Sequence, residues 1–226
     1  MSLKRLKCFA LVVVAIEAGL LVGDGKDQRR ALPHGTFAAV GGEVEGAQPR
    51  TPKQPATCGV ERWAVKTLSD DDAPRLKLTE VSKTTIAELN LLPAHCQGGP
   101  DHRVFPEEFK VYEVVGRVRQ VMAEQDRDVH IVLADPNAIE QTIVIEVADP
   151  NCSGAADSPH AEALTQARSM FTALLRSGAT NDPEPILGRV VRVRGVGFFD
   201  FDHGQAGRSQ SCIELHPVVS IEPAPN

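Results

Sequence analysis

A chain of 226 residues with a formal charge of −6 sets its mean field against polyanions, so nucleic acid or an anionic membrane would need a local basic patch to be held. Apolar residues make up an ordinary 42 per cent, while aromatics are scarce at 4 per cent, which argues against base-stacking platforms. Low-complexity sequence fills roughly the first quarter and leaves room for about one core.

The N-terminus carries Lys4, Arg5 and Lys7 ahead of an apolar run over residues 8–22, the pattern of a secretory signal over residues 1–23. Glu17 departs from that pattern, and the run is shorter than the roughly 20 residues a membrane span needs, so no transmembrane span is expected in the mature chain. Cys8 has no lipobox before it. Without this segment Cys58, Cys96, Cys152 and Cys212 remain, an even number with no C-x-x-C spacing, which reads as two disulfides among three possible pairings. A secreted or periplasmic protein is the expectation. Residues 24–57, rich in Gly, Pro, Gln and charge, read as a flexible linker, and residues 58–226 as the folded domain.

That domain opens with Trp63 in a short run read as extended, its indole plugging a core or an edge. The acidic triplet Asp70, Asp71 and Asp72 reads as a solvated turn. Thr85 and Glu88 form a capping box ahead of Ile86, Leu89 and Leu92, with Pro93 as the stop, which predicts a two-turn helix. Residues 93–106 read as an irregular loop.

Residues 109–147 then form three apolar runs with short polar connections, a β-meander. Val129, Ile131 and Leu133 alternate with Asp128, His130 and Val132, while Ile143, Ile145 and Val147 alternate with Thr142, Val144 and Glu146. Pairing Asp135 with Gln141 across the turn sets His130 opposite Glu146 and matches the buried residues with one another. Gly116 marks a bend in the first strand. Ser158 as N-cap and Pro159 at the first helical position start a second helix, with a buried stripe of Leu164, Ala167, Phe171, Leu174 and Leu175 and a stop at Gly178. Glu162, Arg168 and Arg176 are assigned to solvent. Alternation resumes at Val191 and Val193 and again at Ile213, Leu215, Val219 and Ile221. Three strands, a helix and two strands is the order of an OB-fold, so the predicted fold is mainly β: a five-stranded OB-fold-like Greek-key barrel with its helix between strands three and four.

Several stretches carry a resemblance. Gly195-Val196-Gly197-Phe198-Phe199-Asp200-Phe201, His203-Gly204-Gln205 and Glu214-Leu215-His216-Pro217, with Cys58-Gly59-Val60-Glu61-Arg62-Trp63-Ala64-Val65-Lys66-Thr67, Thr84-Thr85-Ile86-Ala87, His130-Ile131-Val132-Leu133-Ala134-Asp135 and Asp149-Pro150-Asn151-Cys152 upstream, resemble a family of small exported bacterial proteins without an assigned activity. The resemblance covers nearly everything after residue 57. It implies export, one compact domain, and a bond between Cys58 and Cys152, which leaves Cys96 and Cys212 for each other. Asp202 stands where the family pattern suggests an apolar residue.

OB-folds bind on the outer face of strands two and three and in the loops after strands one and four. That surface holds His130 and Glu146, the first-loop residues Glu124, Gln125, Asp126 and Arg127, and Asp200, Asp202, His203, Gln205 and Arg208 in a loop expected to fold over the barrel mouth. Glu214 and His216 share a strand face. Arg117, Arg119, Arg192 and Arg194 could form a basic stripe, for which solvation is the simpler account. No cofactor is expected: Gly195 and Gly197 lead into a strand-like run, and a dinucleotide fingerprint needs a helix N-terminus there. Ser209 and Ser211 lack a nucleophile elbow. Partners are not specified, and no strong nucleic-acid signal is present. The leading expectation is a non-catalytic ligand-binding or interaction module; the alternative is a metal-assisted hydrolase of phosphodiesterase or nuclease type, favoured if His130, His203 and His216 converge.

Overall fold

In the computed structural model, residues 58–59, 61–176 and 186–225 are described; the expected signal segment, linker and Gly178 stop lie outside them. The strands are β1 (Val81–Lys83), β2 (Val111–Ala123), β3 (Val129–Ala134), β4 (Thr142–Val147), β5 (Val190–Phe199) and β6 (Ile213–Pro223). The helices are α1 (Trp63–Lys66), α2 (Ile86–Asn90) and α3 (Ala161–Arg176).

β2, β3 and β4 form the antiparallel meander, and His130 lies opposite Glu146, Ile131 opposite Ile145 and Leu133 opposite Ile143. The Asp135 amide donates to the Gln141 carbonyl at 2.9 Å and closes the turn in that register. β4 then meets β6 in parallel, β6 runs antiparallel to β5, and β5 returns antiparallel to β2. This closes a five-stranded OB-fold-like barrel, with α3 bridging β4 and β5 and the short β1 added in parallel beside β2. β2 serves two sides because it is long: residues 111–117 pair with β5 and residues 117–123 with β3, with a register shift between Val118 and Gln120. Gly116 contributes close approach, since a Cβ there would sit 2.8 Å from Leu133 Cβ.

The interior takes the inward residues of every strand. Val114, Val118, Ile131, Leu133, Ile143, Ile145, Val191, Val193, Leu215 and Ile221 are essentially inaccessible to water, each side chain of Leu or Ile size contributing about 1.5–3 kcal/mol by burial. Ile86 and Leu89 of α2 join this core, as do Ala167, Phe171 and Leu174 of α3. The capping box is present: Thr85 Oγ1 accepts from the Glu88 amide at 3.1 Å, and Glu88 Oε2 from the Thr85 amide at 2.9 Å.

Five details depart from the sequence reading. Trp63–Lys66 is a helical turn, entered through Arg62 at φ 48°. Asp70 is buried in an ion pair with Arg103 at 2.9 Å, because Arg103 Nη1 also donates to the Glu108 carbonyl and draws the carboxylate inward. α3 begins at Ala161 because the Ser158 hydroxyl donates to the Leu68 carbonyl at 2.6 Å and accepts from the His160 amide, holding residues 158–160 as a turn that locks onto the N-terminal segment. Arg168 is partly buried and donates to the Val147 carbonyl at 2.9 Å. In β6 Val218, not Val219, enters the barrel core, because the β5–β6 register shifts around Gly195.

Candidate functional site

Strand parity puts polar residues on the outer face of β3, β4 and β6: His130, Glu146, Glu214 and His216. The Ile145–Leu215 pair sets Glu146 beside His216, since neighbours on parallel strands advance together. This face is roofed. Relative exposure is 4% for His130, 2% for Glu214 and 0% for His216, values typical of core residues.

One side of the roof is α1. Arg62 anchors it, donating from Nη1 to Glu108 Oε1 at 2.8 Å and the Phe199 carbonyl at 2.9 Å, and from Nε to the Pro100 carbonyl at 2.8 Å. Glu108 also accepts from the Val104 amide at 2.8 Å. Its burial would raise its pKa, but Arg62 and the backbone donors outweigh that and hold it below the usual carboxylate value. The bond between Cys58 and Cys152, with Cα atoms 5.6 Å apart, ties down the chain before α1. Trp63 Nε1 donates to the Ser153 carbonyl at 2.7 Å.

The other side is the loop of residues 200–211. The Cys96–Cys212 bond, Cα atoms 5.2 Å apart, and the Asp202 amide donating to the Cys96 carbonyl at 3.0 Å fix its base. Gln205 braces the loop, accepting from the His203 amide and donating to the Phe201 carbonyl, both at 3.1 Å. His130 Nε2 reaches the Ala206 carbonyl at 3.3 Å, so the loop touches the sheet face. At Gly207 a Cβ would collide with Val132, and φ is +79°; glycine is required twice over.

Between α1 and this loop lies a cleft of about 510 Å³. Six carboxylates line it (Glu61, Glu124, Asp126, Glu146, Asp200 and Glu214), with Lys66, His130, His203, Gln205 and Trp63. Burial would lower the pKa of Lys66, but Asp200, Glu146, Glu61 and Glu214 outweigh it and keep the ammonium charged. Burial pushes Glu214 well above the ordinary carboxylate range, reinforced by Glu146 and Asp200. Glu146 goes the other way: burial opposes its charge, yet His216, His130 and Lys66 hold its pKa at about 2. Burial pushes Asp126 up, helped by the charge of Asp128. For His130, burial is outweighed by Glu146, whose Oε1 lies 3.0 Å from Nδ1, and the imidazolium is favoured.

Of the residues singled out from sequence, His130, Glu146, Asp200, His203 and Gln205 come together in the cleft, with the first-loop residues Glu124, Gln125 and Asp126. Asp202 and Arg208 pair with each other at 3.4 Å instead, and Arg208 also lies against Cys212 Sγ at 3.0 Å. Arg127 turns away to Asp149 at 2.7 Å. His130 and His216 converge on Glu146, while His203 sits 3.5 Å from Asp200. The arginines of the expected stripe are partly neutralised: Arg194 and Arg192 face Glu113 at 2.7 and 3.7 Å. Ser209 and Ser211 spend their hydroxyls on the Ile213 and Leu89 carbonyls at 2.7 and 2.8 Å. Sequence reasoning missed Glu61, Lys66 and Asp128 as site residues. Asp128 obeys the same parity as His130 and was legible; Glu61 and Lys66 become site residues only through the packing of α1. No family model and no curated protein matches the chain.

Proposed function

We propose that this domain is an exported ligand-binding module whose cleft takes a small positively charged ligand, an amine or guanidinium. The observation that carries the reading is the acidic excess of a single cleft: beside Glu214, which burial favours as the neutral acid, five further carboxylates face Lys66 and His130. One of their oxygens, Asp200 Oδ1, is buried without a hydrogen-bond partner, and a donor from a ligand would satisfy it. The cleft is roofed by two separately anchored segments, the pre-formed concavity expected of a ligand site. Export is supported by the two disulfides; among the described residues no helix is long and apolar enough to cross a membrane.

Calorimetric titration with arginine, putrescine and spermidine tests the reading, with the same titration of Asp200→Asn and Glu61→Gln. Saturable binding that weakens at least severalfold in both variants is expected. Binding of anionic probes only, or of none, refutes it. A hydrolytic reading draws on a different observation, the opposite displacement of Glu146 and Glu214, the pattern of a base and an acid on one surface. Turnover of chromogenic ester, glycoside or phosphodiester substrates that is lost in Glu214→Gln would favour it.

A further inference from the structure

Beneath the cleft, Asp128 just before β3, Glu146 on β4 and His216 on β6 form a cluster that shares only Glu146 with the cationic-ligand reading. Asp128 and His216 are wholly buried, at 0% exposure. The His216 ring lies between the two carboxylates, Nε2 at 3.3 Å from Asp128 Oδ2 and Nδ1 at 3.2 Å from Glu146 Oε2. Neither approach closes into a hydrogen bond: Asp128 Oδ2 and both ring nitrogens of His216 have no hydrogen-bond partner. The remaining oxygens are engaged. Asp128 Oδ1 accepts from the Asp149 amide at 2.8 Å, and Glu146 Oε1 faces His130 Nδ1 at 3.0 Å. Three bare polar atoms thus meet in one dry spot, where such atoms ordinarily find a common partner.

We infer that Asp128, Glu146 and His216 hold a divalent metal ion. One donor atom from each residue lies within 4.8 Å of the other two, and donors across one ion held at about 2.1 Å are about 4.2 Å apart, so small side-chain shifts complete the shell. Two carboxylates and a neutral imidazole balance a 2+ charge. The nitrogen in the set selects zinc or manganese over calcium, which takes six or more oxygens. Whichever ring nitrogen ligates, the other lies within 3.3 Å of a carboxylate oxygen, close enough for the same small shifts to close the outer-shell hydrogen bond usual for a metal-bound histidine. Glu146 and Asp126 face the cleft, which gives an entry path.

The competing account is an imidazolium at His216 bridging the two carboxylates with no ion. The full chain is stripped with chelator and dialysed against Zn²⁺, Mn²⁺, Mg²⁺ or Ca²⁺ singly, with bound metal and melting temperature measured. One equivalent of Zn²⁺ or Mn²⁺ is expected, with a melting temperature that climbs as metal concentration rises and is unchanged by Mg²⁺ or Ca²⁺. Both effects disappear in Asp128→Asn. Should that variant fail to fold, ¹⁵N spectra of the wild-type imidazoles decide: a metal-induced shift of one His216 nitrogen supports the site. A His216 spectrum that stays doubly protonated in saturating metal overturns it, as does metal uptake unchanged in folded Asp128→Asn.

Discussion

The barrel interior and its roofed outer face are built by the same strands and are almost equally dry, yet they are held by different forces. Inside, Ile131, Leu133, Ile143 and Ile145 interdigitate without a polar atom among their side chains. One residue along, His130, Glu214 and His216 are nearly as inaccessible, Glu146 only a little less so, and all four are polar. An apolar core is stabilised by its area and tolerates substitutions of similar volume; a buried polar layer depends on every partner being in place, because desolvation penalises each group left alone. The comparison teaches that the outer layer is stable only as long as α1 and the 200–211 loop stay seated on it.

Unseating the roof should therefore cost most. Arg62→Ala removes one partner of a fully buried ion pair and leaves Glu108 charged with its guanidinium gone; a loss of about 3–5 kcal/mol is expected in urea unfolding, and a loss below about 1 kcal/mol would mean that Arg62 does not anchor α1. On the other side of the comparison, Leu133→Ala should cost about 2–5 kcal/mol with the cleft chemistry intact, measured as the same ligand affinity at a temperature where the variant is folded.

Acid should separate the two regions. The Glu108 pKa is depressed below 4.5, so the carboxylate contributes fully above its unfolded value, and the contribution is lost as pH falls through the lower folded value. Stability measured at successive pH values from 6 down to about 3 should drop in that window, and the drop should be shallower in Glu108→Gln. An unchanged slope would assign the acid sensitivity to other carboxylates.

The smallest effects belong to the loop. Gln205 makes two of the side-chain bonds within it, so Gln205→Ala should lower stability by about 1 kcal/mol. His203, nearly half exposed with only a 3.5 Å approach to Asp200, should change it by less than about 0.5 kcal/mol when replaced by Ala. A His203→Ala loss larger than that of Gln205→Ala would reverse these roles.

Much of the barrel was legible in the sequence because alternation carries both parity and register. His130 opposite Glu146 follows from keeping Ile131 against Ile145, and the strand–helix order specifies the topology. The Cys58–Cys152 bond came from resemblance, since spacing alone left three pairings open. What alternation cannot convey is what lies on top. A polar outward residue reads as solvated unless the segment covering it is recognised, and α1, a single turn entered through a left-handed Arg62, has too few residues for helical periodicity to register. Hence Lys66 and Glu61 went unseen as site residues, and Asp70 was left in solvent although Arg103, more than thirty positions away, draws it inside. The start of α3 was displaced for the same reason: Ser158 has the composition of a cap, but its hydroxyl donates to Leu68.

The seam between β4 and β6 has a consequence for how the molecule comes into being. Ile145 and Leu215 lie far apart in the chain, and Glu146 and His216 stand on either side of the line where they meet. A chain made from its N-terminus can pair the meander early, but contacts of such separation form late because the intervening loop must first be closed. Until the last strand is delivered, Glu146 has no His216, Cys96 has no Cys212, and α1 rests on half a surface. A nascent or truncated chain ending before Cys212 would therefore hold a meander and an unfinished cleft, whose walls are completed only as the barrel closes.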